Sequence, residues 1–293
     1  MEDIWSSENK HIVLCPNPEK DVKLKFTLQA KELLTKAGNK VMISIVSSDT
    51  FTGESDKNIT TVPLKEAVKN ASLLIAFGGD GMILEVARAV MEEPVPVLGV
   101  SLGHKGFMTE LERHETDLLL KAAEGNFVSI ERMMLDIELI RGDTVFFSDT
   151  ALNDAVICGT VTNLHVAAYG DGSKITEYTG NGIIVASPTG STAYSLSAGG
   201  SLVEPAAQNI LLTPICAHLI NVRPFVLAPD RLVTIKAPGN EGKQMWLSVD
   251  GGEPLAFYSS DELKIRKSEH RTVMAHVSDK SFYDIAFEKI RGK

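Results

Sequence analysis

Apolar residues in the first part of the chain fall into two alternating spacings. Continuous apolar runs at His11 to Cys15, Val41 to Val46, Ser72 to Phe77 and Val95 to Gly99 predict buried strands. Between them, Leu24, Leu28, Ala30, Leu33 and Leu34 recur at helical spacing, with Asp21 placed as an N-cap and Gly38 as a C-cap glycine. Ile83, Leu84, Val86, Ala87 and Val90 predict a second helix over Met82 to Met91. Strands alternating with helices predict a parallel α/β sheet.

After Gly125 the pattern changes. Short stretches at Leu135 to Ile140, Val145 to Ser148, Ala155 to Ile157, Leu164 to Tyr169, Ile183 to Ala186, Leu232 to Ile235 and Met245 to Val249 predict a β-rich second domain. Phe282, Ile285, Ala286 and Ile290 restore helical spacing in a tail expected to pack back on the first domain. The expected division is residues 1–130 joined by 276–293, and residues 131–275, with the break near Asn126 to Arg132.

Composition narrows the function classes. The 293 residues are 44% hydrophobic and 23% charged, enough apolar surface for ordinary cores, which excludes disorder. A formal net charge of −9 with scattered basic residues argues against nucleic-acid binding. Apolar runs fall far short of the roughly 18 residues a membrane span needs, and the acidic opening Met1-Glu2-Asp3 is unlike a signal peptide. A cytoplasmic protein is therefore expected. Cys15, Cys158 and Cys216 form no C-x-x-C pair and read as buried thiols, and the seven histidines lack metal-ligand spacing.

Two segments carry candidate chemistry. Gly78-Gly79-Asp80-Gly81 sits between a predicted strand and a predicted helix, where ligands of open α/β sheets bind. Its glycines allow backbone N–H groups to approach phosphate oxygens at the helix N-terminus. An acid in an anion-binding turn would hold a metal or take a proton from an attacking hydroxyl, which suggests phosphoryl transfer. The competing reading is a tight turn in which Asp80 caps the helix.

The second segment, Gly180 to Gly200, reads strand, turn, short helix, glycine stop. Hydroxyls and small side chains between Ser187 and Ser197 permit close approach of a ligand, with Tyr194 as a flat wall. A well-capped, tightly packed helix start explains the same composition. Asn153-Asp154 could bind a ligand through an amide and a carboxylate, or form an Asx-turn. Gly99-Val100-Ser101-Leu102-Gly103 matches a hydrolase elbow, but Gly106 and His104-Lys105 break the helix that should follow. No dinucleotide G-x-G-x-x-G, Walker or H-E-x-x-H motif is present.

In order and spacing, Gly78 to Gly81, Gly99 to Glu110, Asn153-Asp154, Ser187 to Gly200 and Pro214 to Pro224 together resemble the NAD kinase family. The resemblance runs from about Asn70 to the Val249-Asp250-Gly251 turn. It implies an α/β N-terminal domain, a β-sandwich-like C-terminal domain and a homo-oligomer, dimer or tetramer. It also implies transfer of phosphate from ATP or polyphosphate to NAD with a divalent ion such as Mg2+. By that resemblance Asp80 is the general base on the adenosine ribose 2'-hydroxyl, and Gly78, Gly79 and Gly81 line the donor's phosphate path. Asn153 reads adenine and Asp154 the ribose hydroxyls. Asn181, Thr192, Ala193, Tyr194 and Ser197 meet the rest of the dinucleotide, with Phe107 in the wall.

The chain departs from the family pattern at four positions. Asp154 stands for the usual Glu, Asn181 for Asp, Met82 for Thr, and Lys105 for an apolar residue, where it could reach a phosphate or lie solvated. A lipid or sugar kinase of the same superfamily, and a dinucleotide-binding regulatory paralogue without activity, are the alternative readings.

Overall fold

The computed structural model describes residues 10–46, 61–103, 106–160, 163–218 and 221–291. Two units divide the chain, one formed by residues 1–131 and 272–293, the other by 132–271.

In the first unit, β1 (His11–Pro16), β2 (Val41–Ile43), β3 (Ala71–Gly78) and β4 (Val97–Ser101) pair in parallel in the order β2-β1-β3-β4. β1, β3 and β4 are buried almost throughout, as their unbroken apolar runs require when helices cover both faces. The short strand β5 (Leu111–Glu112) pairs with β4, and the end of the strand Glu262–His276 pairs parallel to it through Met274 and Val97. Helices α1 (Lys25–Lys36), α2 (Leu64–Ala67) and α3 (Asp80–Ala89) lie between the strands, and α4 (Thr116–Ala123) follows β5. Ile12, Leu14, Leu73, Ile75, Leu98 and Val100 share one core with Ala30 and Leu34 of α1 and Leu119 and Ala122 of α4. On the other face α3 reaches β4, where a Cβ on Gly99 would lie 2.5 Å from Ile83 Cδ1.

Asp21 was expected at the helix start, but α1 begins four residues later. A 3-10 turn, Val22–Leu24, intervenes, with Lys23 at φ +57° and Leu24 at φ +51°. Asp21 nonetheless accepts the N–H groups of Phe26 and Thr27 at 2.9 Å, so its carboxylate serves the same first turn from further back. Gly38, at φ +91°, follows the last turn as expected. The predicted strand at Val41 to Val46 is reduced to three residues.

The second unit holds β6 (Val128–Arg141), β7 (Thr144–Ala151), β8 (Asp154–Gly159), β9 (Leu164–Gly170), β10 (Ser173–Gly180), β11 (Gly182–Ala186), β12 (Ile210–Ile215), β13 (Phe225–Leu227), β14 (Val233–Lys236), β15 (Met245–Val249), β16 (Leu255–Phe257) and the start of β17 (Glu262–His276). One sheet has the order β13-β12-β11-β8-β15-β16, and all its pairings are antiparallel. The other runs β10-β9-β14-β17, with β6 paired to β17 and β7 paired to β6. Ile183, Val185, Ala155, Ile157 and Leu212 point into the core shared with Leu135, Ile137, Val166 and Ile235. Their neighbours Ile184, Ala186, Val156 and Leu211 point the other way, under Ala198 and Val203. β11 is therefore buried on both faces, which explains its lack of polar alternation. The covering segment contains a 3-10 turn, Thr189–Thr192, the single helical turn α5 (Tyr194–Ser197) and Gly199 at φ +88°.

The tail helix α6 (Phe282–Ile290) opens with a capping box, in which Ser281 Oγ accepts the Asp284 N–H and Asp284 accepts the Ser281 N–H. No described helix is long and apolar enough to cross a membrane.

Candidate active site

In the first unit, the Gly78 to Gly81 turn joins β3 directly to α3. Gly79 is extended and Asp80 is the first helical residue, so Asp80 does not cap the helix. Its carboxylate points instead to the loop after β4, where Oδ2 accepts the Phe107 N–H at 2.9 Å and Oδ1 the Met108 N–H at 3.1 Å. Gly106 makes this approach possible, since a Cβ there would lie 1.9 Å from Asp80 Oδ1. Met82 is buried and packs over Gly78, where an added Cβ would sit 2.8 Å from Met82 Cβ. Around Gly81, apart from its chain neighbours and the helix's own backbone, no atom of the described residues lies within 4 Å of an added Cβ.

The loop that holds Asp80 is itself anchored. Gly106 N–H donates to Thr109 Oγ1 at 2.8 Å, and Glu110 N–H to the Gly99 carbonyl. The Glu110 carboxylate accepts the N–H groups of Val277 and Ser278 and pairs with His276 Nδ1. These bonds outweigh its burial and hold its pKa below the usual carboxylate range. Thr109 and Glu110 were visible in the sequence only as part of a matching block, because their task is to hold backbone. Ser101, the hydrolase-elbow serine, is 2% exposed and starts no helix. His104 and Lys105 lie outside the described residues.

The second unit places Asn153 and Asp154 at the start of β8, buried at 8% and 5% exposure. The turn is fixed by Asp250, a residue that sequence reading left without a role. Held at φ +49°, it accepts the N–H groups of Leu152, Asn153 and Asp154 at 2.8, 2.8 and 3.0 Å. Burial, reinforced by the Asp250 charge, pushes the Asp154 pKa up to about 7.

The Ser187 to Gly200 segment closes on this turn. Ser187 N–H donates to the Asn153 carbonyl at 2.8 Å and Ser187 Oγ to the Leu152 carbonyl. Gly190 lies so close that its Cβ would sit 2.2 Å from the Asn153 carbonyl oxygen. Two buried oxygens here, Asn153 Oδ1 and Thr189 Oγ1, have no hydrogen-bond partner among the described residues. Such groups are costly unless something arrives to satisfy them. Thr192 and Ala193 are half-buried, while Tyr194 and Ser197 are exposed one turn later. The Tyr194 hydroxyl pKa is raised by partial burial and by the nearby Cys158, Cys216 and Asp154. Asn181 sits in the bend before β11, its N–H donating to the Ile215 carbonyl at 2.9 Å. Among the described residues no three His, Cys, Asp or Glu side chains cluster as metal ligands.

Comparison with known proteins decides the family. The ATP-NAD kinase N-terminal domain matches residues 13–125 and the ATP-NAD kinase C-terminal domain residues 153–277. The chain belongs to the NAD kinase family. It is 34% identical over 285 residues to an NAD kinase of Acetivibrio thermocellus, covering 96% of both chains. It is 34% identical to one from Ruminiclostridium cellulolyticum, covering 96% of this chain and 98% of the other. Yeast NADH kinase complexed with NADH superposes with a TM-score of 0.80 at 26% identity, covering 98% of this chain and 88% of that one. An Archaeoglobus fulgidus NAD kinase in complex with ATP shares the fold at a TM-score of 0.71 and 22% identity, with 96% and 98% covered. NAD kinases are phosphotransferases, and the two-domain fold expected from the sequence is the fold of these relatives.

Proposed function

We propose that the chain transfers the terminal phosphoryl group of ATP, or of inorganic polyphosphate, to the adenosine ribose 2'-hydroxyl of NAD, giving NADP. The observation that carries this reading is the Asp80 carboxylate, fixed by two backbone N–H groups beside an open glycine turn in a chain of this family. Two carboxylate oxygens offer about four acceptor sites, so two amide bonds orient the group and leave lone pairs for a proton. Asp80 takes the 2'-hydroxyl proton as that oxygen bonds to the terminal phosphorus and the bond to the donor's bridging oxygen breaks, releasing ADP or the shortened polyphosphate. Gly78, Gly79 and Gly81 let the phosphates come close to backbone.

On the dinucleotide side, Asn153 Oδ1 is a buried acceptor suited to the exocyclic amine of adenine. Asp154 serves the ribose hydroxyls, and Asn181, Thr192, Ala193, Tyr194, Ser197 and Phe107 contact the remainder. Among the described residues no three His, Cys, Asp or Glu side chains cluster, and a divalent ion such as Mg2+ would come with the donor phosphates, where it would supply charge neutralisation. A cytoplasmic location is in keeping with the general composition, and a dimeric or tetrameric homo-oligomer with the family resemblance.

The test is NADP formation by the purified protein from NAD, ATP and Mg2+, read with an NADP-specific dehydrogenase, with NADH and polyphosphate in parallel. Turnover with one of these pairs is expected. Calorimetric NAD binding without turnover of any pair would overturn the reading in favour of a binding protein.

A further inference from the structure

Lys20 stands at the glycine turn, and nothing in the motif points to it. The Asn17 to Asp21 segment after β1 is stitched to the end of β3. Asn17 N–H donates to the Phe77 carbonyl at 2.8 Å, and the Asn17 carboxamide accepts the N–H groups of Glu19 and Lys20 at 3.0 and 3.1 Å. A Cβ on Gly78 would lie 3.3 Å from Asn17 Cβ, so the two turns touch. This arrangement brings Lys20 Nζ over Gly79, 3.1 Å from where a Cβ on that residue would sit. Among the described residues, no carboxylate lies within ion-pair distance of Lys20 Nζ.

We infer that Lys20 binds the phosphate groups of the phosphoryl donor over the Gly78 to Gly81 turn. This rests on the kinase reading above and adds to it a residue outside the motif. A flexible ammonium with three donors serves as a point charge for phosphate oxygens, complementing backbone N–H groups that carry only partial charge. No proton moves at Lys20. Its charge offsets that of the oxygens while the phosphoryl group is transferred. ATP and inorganic polyphosphate share the chemistry recognised here, an anionic phosphate chain.

The experiment compares the full chain with Lys20→Met and Lys20→Arg, using ATP and polyphosphate as separate donors. For Lys20→Met, kcat/KM for each donor active with the parent is expected to fall about 10- to 100-fold with the NAD KM unchanged, and Lys20→Arg to recover most of it. Donor kcat/KM within about twofold of the parent, or a matching rise in the NAD KM, would overturn the assignment. So would a loss confined to ATP when polyphosphate also serves, since Lys20 would then read the nucleoside. Calorimetry with tripolyphosphate separates this from failure of the kinase reading. If the parent turns over no donor yet binds tripolyphosphate, and Lys20→Met binds it about tenfold more weakly, the site stands without the activity. Equal binding by both proteins, or no binding by the parent, sinks it.

Discussion

Asp80 and Asp250 are turn carboxylates that do similar local work in different settings. Asp80 accepts two backbone N–H groups from Phe107 and Met108, and Asp250 accepts three from Leu152, Asn153 and Asp154. Around Asp80, among the described residues, the glycine turn leaves space at Gly81 and a lysine ammonium near Gly79. Asp250 is half-buried, and among the described residues the unsatisfied acceptor belongs to its neighbour in space Asn153. Hydrogen bonding alone would rank Asp250 as the more constrained acid. Under the proposed function, the space at Gly81 and the Lys20 ammonium, which has no ion-pair partner among the described residues, single out Asp80 as the general base, with Asp250 shaping the turn that presents Asn153 and Asp154 to the dinucleotide.

The largest expected effect separates the two acids by kinetics. Asp80→Asn should lower kcat roughly 10²- to 10⁴-fold while NAD affinity by calorimetry stays within about threefold. A collapse of NAD affinity instead would make Asp80 a binding or structural residue. Asp250→Ala should act the other way, leaving three N–H groups without their acceptor and costing about 3 kcal/mol in urea unfolding. NAD affinity should fall with it, because the Asn153 turn loses its anchor. If Asp250→Ala unfolds at the parent's urea midpoint, the three bonds are replaceable and the contrast fails.

Some of this was legible in the sequence and some was not, for physical reasons. Gly78 to Gly81 could be placed because strand and helix periodicities bracket it, and β3 and α3 do flank the turn. β11 was visible as an apolar run, and the two-domain division as a change of period. Asp250 and Glu110 escaped because each acts on backbone distant in sequence, and a side chain that accepts amide hydrogens leaves no periodic trace. β12 was missed although Ile210 to Leu212 is plainly apolar, since a short apolar run does not declare its partner strands. α4 was missed for want of a clear start, and Glu115, which precedes it, makes no side-chain capping bond to the helix.

A smaller effect tests the coupling between Asp154 and Asp250. The Asp154 pKa rises from its ordinary 3.8 to about 7 in the fold. Between those values the native state holds a proton that the unfolded chain has released, so stability falls as pH rises through the window. Asp154→Asn removes this titration. Between about pH 5 and about pH 7, the parent should lose on the order of 2 kcal/mol of unfolding free energy relative to the variant. Parallel pH profiles for the two proteins would show that burial and the Asp250 charge do not hold the proton.

Gly81 and Gly106 give the smallest and sharpest test, because the fold asks different things of them. At Gly106 a Cβ would collide with Asp80 at 1.9 Å, so glycine is required by the protein itself. At Gly81, inside the first turn of α3, a Cβ meets no side chain or other segment of the described residues within 4 Å. Alanine there should stabilise the helix by about 0.5 kcal/mol, since alanine loses less conformational freedom than glycine on folding. Under the proposed function, the reason to keep glycine at 81 lies with the donor phosphates. Gly81→Ala is therefore expected to raise the melting temperature slightly while lowering kcat/KM for the donor several-fold, about 1 kcal/mol of transition-state binding. Unchanged donor kinetics would remove Gly81 from the phosphate path. A loss of stability would mean that the turn, like Gly106, is closed by the protein rather than left open for substrate.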